Sequence, residues 1–187
     1  MQLIKSPEPG VLGIKGIHID SIRNVAGPYS ASTPMTKKYI EELKRSHAEE
    51  SDAIMSSIHS YPTGEDPDEV HWRTLICNVA LDLTKAPLEY SSSYQAWRRT
   101  LVPEAPLPTD DWKHARIFSE VINRYHSDKL FGSTTNGYVG MFPTTARAED
   151  QVWVLLGGEF PFVLRKTQPT GHHQLIGQCY IHGIMEG

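Results

Sequence analysis

Apolar positions along the chain follow two periods, and the switch between them sets the architecture. In "VLGIKGIHIDSIRNV", Leu12 and Ile14, then Ile17 and Ile19, stand two apart with Gly13 and Gly16 between them, which predicts a bent strand or a short hairpin. From Thr33 to about Tyr125 the spacing becomes helical. Thr33 before Pro34 reads as an N-cap and first helical residue, and Tyr39, Ile40, Leu43 and His47 then share one face. Asp66-Pro67-Asp68-Glu69 is a sharper start: a capping carboxylate, a proline in the first position, and acids facing the positive end of the helix dipole. Trp72, Leu75, Ile76, Val79 and Leu83 follow as an apolar stripe, on a helix expected to stop just before Pro87. A shorter helix carries Tyr94, Trp97 and Leu101, and the prolines of "VPEAPLP" separate it from the next. Thr109-Asp110-Asp111 caps that last helix, with Ala115, Phe118, Ile122 and Tyr125 inward.

After Asp128 the period falls to two. "KLFGST" and "GYVGM" flank Asn136-Gly137, a tight-turn signal that asks for positive φ at both residues. "QVWVLL" and "FPFVLRK" flank Gly157-Gly158 as a second hairpin, and "HQLIGQCYIHGI" reads as one further long strand. The expected fold is α+β: a small antiparallel β-barrel or curled sheet formed by N-terminal and C-terminal strands, with an inserted helical subdomain. Residues 1–187 are expected to form one domain, with 1–28 as its first β segment, 33–126 as the helical insertion and 128–187 as the antiparallel β-unit.

Charge narrows the partners. The formal net charge is −4, with fourteen Lys and Arg against seventeen Asp and Glu up to residue 127 and four against five beyond it. No basic module is hidden in either part, so nucleic acid is not an expected partner. No run of apolar residues is long enough to span a membrane, and "MQLIKSPEPG" lacks a signal peptide's apolar core. Cys77 and Cys179 both sit in apolar patterns, as buried free thiols of a reducing, cytoplasmic setting would.

The chain contains no His-Glu-x-x-His, Gly-x-Ser-x-Gly or P-loop pattern, and no cofactor or metal is expected. Its chemistry-bearing side chains are scattered. His18 and Asp20 share one strand face if the segment is extended, where a carboxylate could orient an imidazole as a general base. His182 sits at the end of an apolar strand, and Arg165 ends another, from which its guanidinium could cross the barrel rim toward a carboxylate or an anionic ligand. Arg147, Glu149 and Asp150 read as a solvated turn, and His172-His173 as a solvated loop. Trp72 and Trp97 belong to core stripes, which turns Arg73, Arg98 and Arg99 toward other faces.

The stretch "GYVGMFPTTARAEDQVWVLLGGEFPFVLR" followed by "LIGQCYIHGIMEG" resembles the C-terminal half of fungal heterokaryon-incompatibility (HET-domain) proteins. Those proteins read Gly-Tyr-x-Gly-x-x-Pro, an Arg-containing turn, a glycine-linked hairpin ending in Leu-Arg, and Tyr-x-His-Gly-Ile-Met-x-Gly. "HWRTLI" and "VLGIKGIHIDSI" resemble the segments that precede these motifs, so the likeness spans almost the whole chain without the N-terminal HET domain. Two departures stand out. Met141-Phe142 replaces a usual Leu-Gly before Pro143, and Ala148-Glu149-Asp150 replaces a usual Pro-Gly-Asp or Val-Gly-Asp turn.

The resemblance implies a recognition or regulatory module lacking its effector domain, binding a partner protein or its own effector half; Met141, Phe142 and Arg147 are the expected ligand or partner contacts. It supplies no catalytic residues. The alternative is a stand-alone enzyme of fungal secondary metabolism: a cofactor-independent cyclase, isomerase or cycloaddition catalyst. It would hold an apolar small molecule at the barrel mouth, with His18, Asp20, Tyr138, Arg165 and His182 converging there. A start at Met1 just before the first family-like strand fits a complete gene product of that kind.

Overall fold

The computed structural model describes residues 3–4, 11–26, 37–102, 111–125, 128–168 and 171–185, without the side chains of 3–4, 37–41, 43 and 125. The Thr33-Pro34 start, most of the "VPEAPLP" connector, Thr109-Asp110 and the side chains of Tyr39, Ile40, Leu43 and Tyr125 lie outside that description. The fold is α+β, as expected. Along the chain run β1 (Leu3–Ile4), β2 (Gly13–Ile14), β3 (Gly16–Val25), α1 (Lys37–Met55), α2 (Pro67–Leu75), α3 (Tyr90–Thr100) and α4 (Asp111–Tyr125). The strands β4 (Lys129–Thr134), β5 (Val139–Pro143), β6 (Gln151–Leu155), β7 (Pro161–Lys166), β8 (His173–Gln178) and β9 (Tyr180–Ile181) follow.

β1 pairs only with β2; the other strands form one sheet in the order β8-β7-β6-β3-β4-β5-β9, antiparallel throughout. Its two ends, β8 and β9, are separated by Cys179 alone. The expected single long strand is therefore broken at that residue, and its halves serve opposite edges. Cys179 donates its N–H to Pro161 O at 3.0 Å on the β7 side, while Tyr180 and Ile181 pair with Met141 and Gly140 on β5. The sheet thus curls back on itself, which leaves few open edges for stray pairing.

The interior of this curl is packed. Ile22, Phe142, Ala146, Val152, Val163, Cys179 and Ile181 fill it. Phe142 lies over the directly paired Gly132 and Gly140: a Cβ on Gly132 would stand 3.0 Å from its ring and one on Gly140 3.3 Å. The other face of the same strands carries Phe131, Val139, Met141 and Tyr180 into a second core with Trp72, Leu75, Trp97, Phe118 and Val121 of the helices. With both faces covered, β5 shows no exposed alternation.

Three local expectations are corrected. α2 begins where read, with Asp66 accepting from the Asp68 and Glu69 N–H groups at 2.8 and 3.2 Å, but it stops at Leu75. Cys77 and Asn78 take positive φ, and Arg73, also buried, folds over the reversal to Asn78 Oδ1 (2.8 Å) and Ala86 O (2.6 Å). Leu83 consequently leaves the predicted stripe and is 72% exposed. The Asn136-Gly137 turn has positive φ at Gly137 alone, so it is a three-residue loop closed by Gly137 N–H to Thr134 O at 3.1 Å rather than the two-residue type. In β3 the register slips at Ile19 and again at Arg23, and the first of these bulges puts His18 and Asp20 on opposite faces.

Alanine at Gly140 would drive its methyl group into Tyr180 O and to within 2.7 Å of Ile181 Cδ1. Gly140→Ala is expected to lose about 2–3 kcal/mol in urea unfolding; an unchanged midpoint would mean that the closing strand is not seated this tightly.

Candidate functional site

Among the described residues, polar side chains gather in two hydrogen-bonded knots and around an open cleft at the sheet rim. The first knot joins the helical insertion to the curled sheet. Tyr61 donates to His182 O at 2.8 Å and accepts the Val139 N–H at 3.3 Å, so one phenol bridges β5 and the residue after β9. The His182 ring meets Tyr180 OH through Nδ1 (2.8 Å) and Glu65 Oε1 through Nε2 (3.2 Å). Burial alone would raise Glu65, but the hydrogen bonds from Thr63 and His182, with the charges of His182 and Arg73, hold its carboxyl below its ordinary value. An ionised carboxylate only accepts, so His182 Nε2 donates to Glu65. Burial pushes the Tyr61 phenol above its ordinary range. His182 is 2% exposed and both its ring nitrogens have partners inside the protein, which suits a structural tie better than proton transfer to a ligand.

The second knot has the parts of a nucleophilic triad. His71 Nε2 lies 2.9 Å from Ser51 Oγ, and its Nδ1 lies 3.2 Å from Tyr94 OH and 3.8 Å from Asp52 Oδ1. Its proton flow runs the wrong way for a nucleophile. Ser51 donates its only proton to Ala48 O, so it accepts from the imidazole instead of being activated by it. Asp52 is held in a two-bond pair by Arg98. Burial, partly offset by Asp52 and reinforced by Arg98, pushes His71 down to about 4. Burial also pushes Cys77 and Cys179 up to about 12, and neither forms a disulfide, so neither supplies a thiolate at neutral pH.

The cleft is the open site. It measures about 790 Å³ at the rim of the sheet and is lined by Ser21, Thr135, Arg147, Glu149, Arg165 and Lys166 among others. Asp150, read from sequence as part of a solvated turn, is 2% exposed and forms its back wall. Arg165 grips it with Nε to Oδ1 and Nη2 to Oδ2, both at 2.7 Å, and Nη2 also reaches Thr145 O at 2.8 Å. The Asp150 carboxylate raises Arg165 further above its ordinary value. The carboxylate additionally accepts the Arg147 N–H at 3.0 Å, so the turn and the guanidinium are fixed together. Glu149 holds φ 72°, a left-handed conformation costly for a side chain, at the position where the resembling proteins usually carry glycine. A smaller cleft of about 280 Å³ lies at the start of α2, lined by Asp66, Asp68 and Glu69.

The five candidate residues do not converge. Tyr138 packs edge-on against Tyr61 at 5.9 Å, near His182. Arg165 lines the cleft, and Asp20 lies behind Ser21, accepting from the Ser21 and Asn136 N–H groups at 2.8 and 3.1 Å. That leaves Asp20 as a staple for the β4–β5 turn. His18 is exposed on the outer face against Trp153, 5.3 Å away. Of the three expected contact residues, only Arg147 is accessible; Met141 and Phe142 are fully buried in the two cores. Sequence reading missed Tyr61, Glu65 and Lys166 altogether. The partners of Tyr61 and Glu65 lie about a hundred residues away, and only the Asp150 to Arg165 pairing had a signal, the unassigned carboxylate expected across the rim. Among the described residues no group of three His, Cys, Asp or Glu side chains is placed to hold a metal ion, and no helix is long and apolar enough to cross a membrane.

This architecture, a curled antiparallel sheet entered from a helical segment, has a counterpart among known families. Residues 109–187 match the family described as the Het-6 beta-barrel domain. The chain is also similar to heterokaryon incompatibility protein 6, OR allele, of Neurospora crassa, with 34% identity over 105 residues. That match takes in 53% of this chain and 15% of the Neurospora protein. The chain is thus similar to one fungal heterokaryon-incompatibility protein over about half of its own length, and it spans a small part of the length of that relative. No solved structure matches it.

Relief of the left-handed backbone makes Glu149→Gly an expected gain of about 1 kcal/mol in unfolding free energy, and a loss would show that the Glu149 side chain is itself a stabilising contact. For His71 the folded value lies below the ordinary 6.5, so the unfolded chain binds the extra proton between about 6.5 and 4. Stability is full above that window and falls as pH drops through it. His71→Gln should flatten this slope in urea unfolding measured at several pH values, and an unchanged slope would assign it to other groups.

Proposed function

We propose that the chain is a non-catalytic recognition module of the heterokaryon-incompatibility type, acting by binding a protein partner. One observation carries this reading: His71 and His182 are buried with both ring nitrogens partnered inside the protein, while the curled sheet is filled by Phe142 and its neighbours. An acid–base or shape-driven catalyst needs a cavity in which such groups meet a substrate. The interior here offers packed side chains, and the open cleft presents fixed charges instead. Binding surfaces of this sort use pre-organised arginine and leave the partner to supply the complementary charge.

The relationship to a Neurospora crassa incompatibility protein supports a role in the recognition arm of that response. Grafting the chain in place of the matching region of that protein tests it. The chimera is expected to retain an incompatibility reaction when paired with tester strains, scored by heterokaryon growth. A chimera expressed at the normal level yet inert in every pairing would count against a recognition role.

A further inference from the structure

Beside the closed knots, the rim cleft stands apart in having cationic groups that the protein itself leaves available. Asp150 is occupied by the Arg165 fork and the Arg147 N–H, so its charge is already matched. Arg165 Nη1 has no partner among the described residues and is not a buried unsatisfied atom, so it remains open to solvent on a guanidinium that lines the cleft. The side chains of Arg147 and Lys166 are exposed on the same cleft, and neither has an ion-pair partner among the described residues. Glu149 is the opposing charge. In a chain of net charge −4, this is a locally cationic cleft with one arginine pre-aligned.

Two of the cleft's lining residues begin a row that runs to apolar side chains on the sheet face opposite Arg165. Cross-strand register places Ser21, Gln151, Leu164 and Leu175 in one row across β3, β6, β7 and β8. Ser21 and Gln151 line the cleft, and Leu175 at the far end is 60% exposed. Gln151 Oε1 meets Trp153 Nε1 at 3.3 Å and His173 Nε2 at 3.1 Å, fixing the half-buried Trp153 beside that row. The helical core draws its strand residues from β4, β5 and β9, which leaves this row outside it.

We infer that the cleft binds an acidic peptide segment of a protein partner, its carboxylates on Arg165, Arg147 and Lys166. This rests on the recognition reading and names the chemistry of the partner. A carboxylate matches the guanidinium Nη1 edge, and charge complementarity sets the sign.

The test uses the full chain and a fluorescein-labelled peptide of alternating Glu and Leu, with a Lys and Leu peptide as control, read by fluorescence anisotropy. The acidic peptide is expected to bind and the basic one not. Affinity should fall about tenfold or more in the Arg147→Glu/Lys166→Glu variant, whose exposed sites leave melting unchanged, and fall again as salt rises. Glu149→Gln should tighten binding about twofold to fivefold by removing the opposing charge. The inference is overturned by equal binding of both peptides, by affinity indifferent to the double variant, or by inorganic phosphate displacing the peptide at low concentration, which would mark a site for small anions. If the acidic peptide fails while the chimera still signals incompatibility, only this inference falls; an inert chimera with a binding-competent cleft removes the recognition reading instead.

Discussion

The close approach of Gly132 and Gly140 beneath the Phe142 ring is the constraint on which the rest of the structure depends. A side chain at either glycine would collide with Phe142 or with the neighbouring backbone, so the two strands can hold a bulky ring on one face only because both lack a Cβ there. Burying that ring contributes about 2–3 kcal/mol. The opposite face of the same strands is thereby free to present Phe131, Val139 and Met141 to the helices. One pair of strands serves two cores, which is why the helical segment and the curled sheet share a wall.

Polar groups at that wall are arranged to hold rather than to react. Tyr61, Glu65 and His182 tie the segment before α2 to β5 and to the residue after β9, and each polar atom in the set finds a partner inside the protein. Hydrogen-bonded networks of this kind favour a single arrangement of the parts they connect, because another leaves the buried Tyr61 or His182 unmatched. Arg165 and Asp150 do the same at the rim, with the difference that one edge of the guanidinium stays outside the pairing.

Much of this was legible in the sequence. Hydrophobic period alone separated the helical segment from the β-unit, and glycine-marked turns located both hairpins. What period could not register were single-residue events: the slips at Ile19 and Arg23, the break at Cys179, and the reversal at Cys77-Asn78. Each changes the face or partner of everything beyond it. His18 and Asp20 were separated by such a slip. Phe142, an oddity beside the resembling proteins, proved to be the filler of the interior, a role that depends on two glycines elsewhere in the chain. The His71 and His182 knots were invisible because their partners are set by tertiary packing rather than by spacing.

The break at Cys179 also bears on how the chain folds. β3 must wait for β4 and β6, more than a hundred residues away, and neither edge of the curl is covered until residues 173–181 have been made. Contacts so distant in sequence are slow to form, because the entropy of closing the loop is lost before any pairing compensates it. The helices, built from local contacts, can form early but have no wall to dock on. Their apolar stripes then remain exposed through most of synthesis, and this is the interval in which a chaperone would meet the chain.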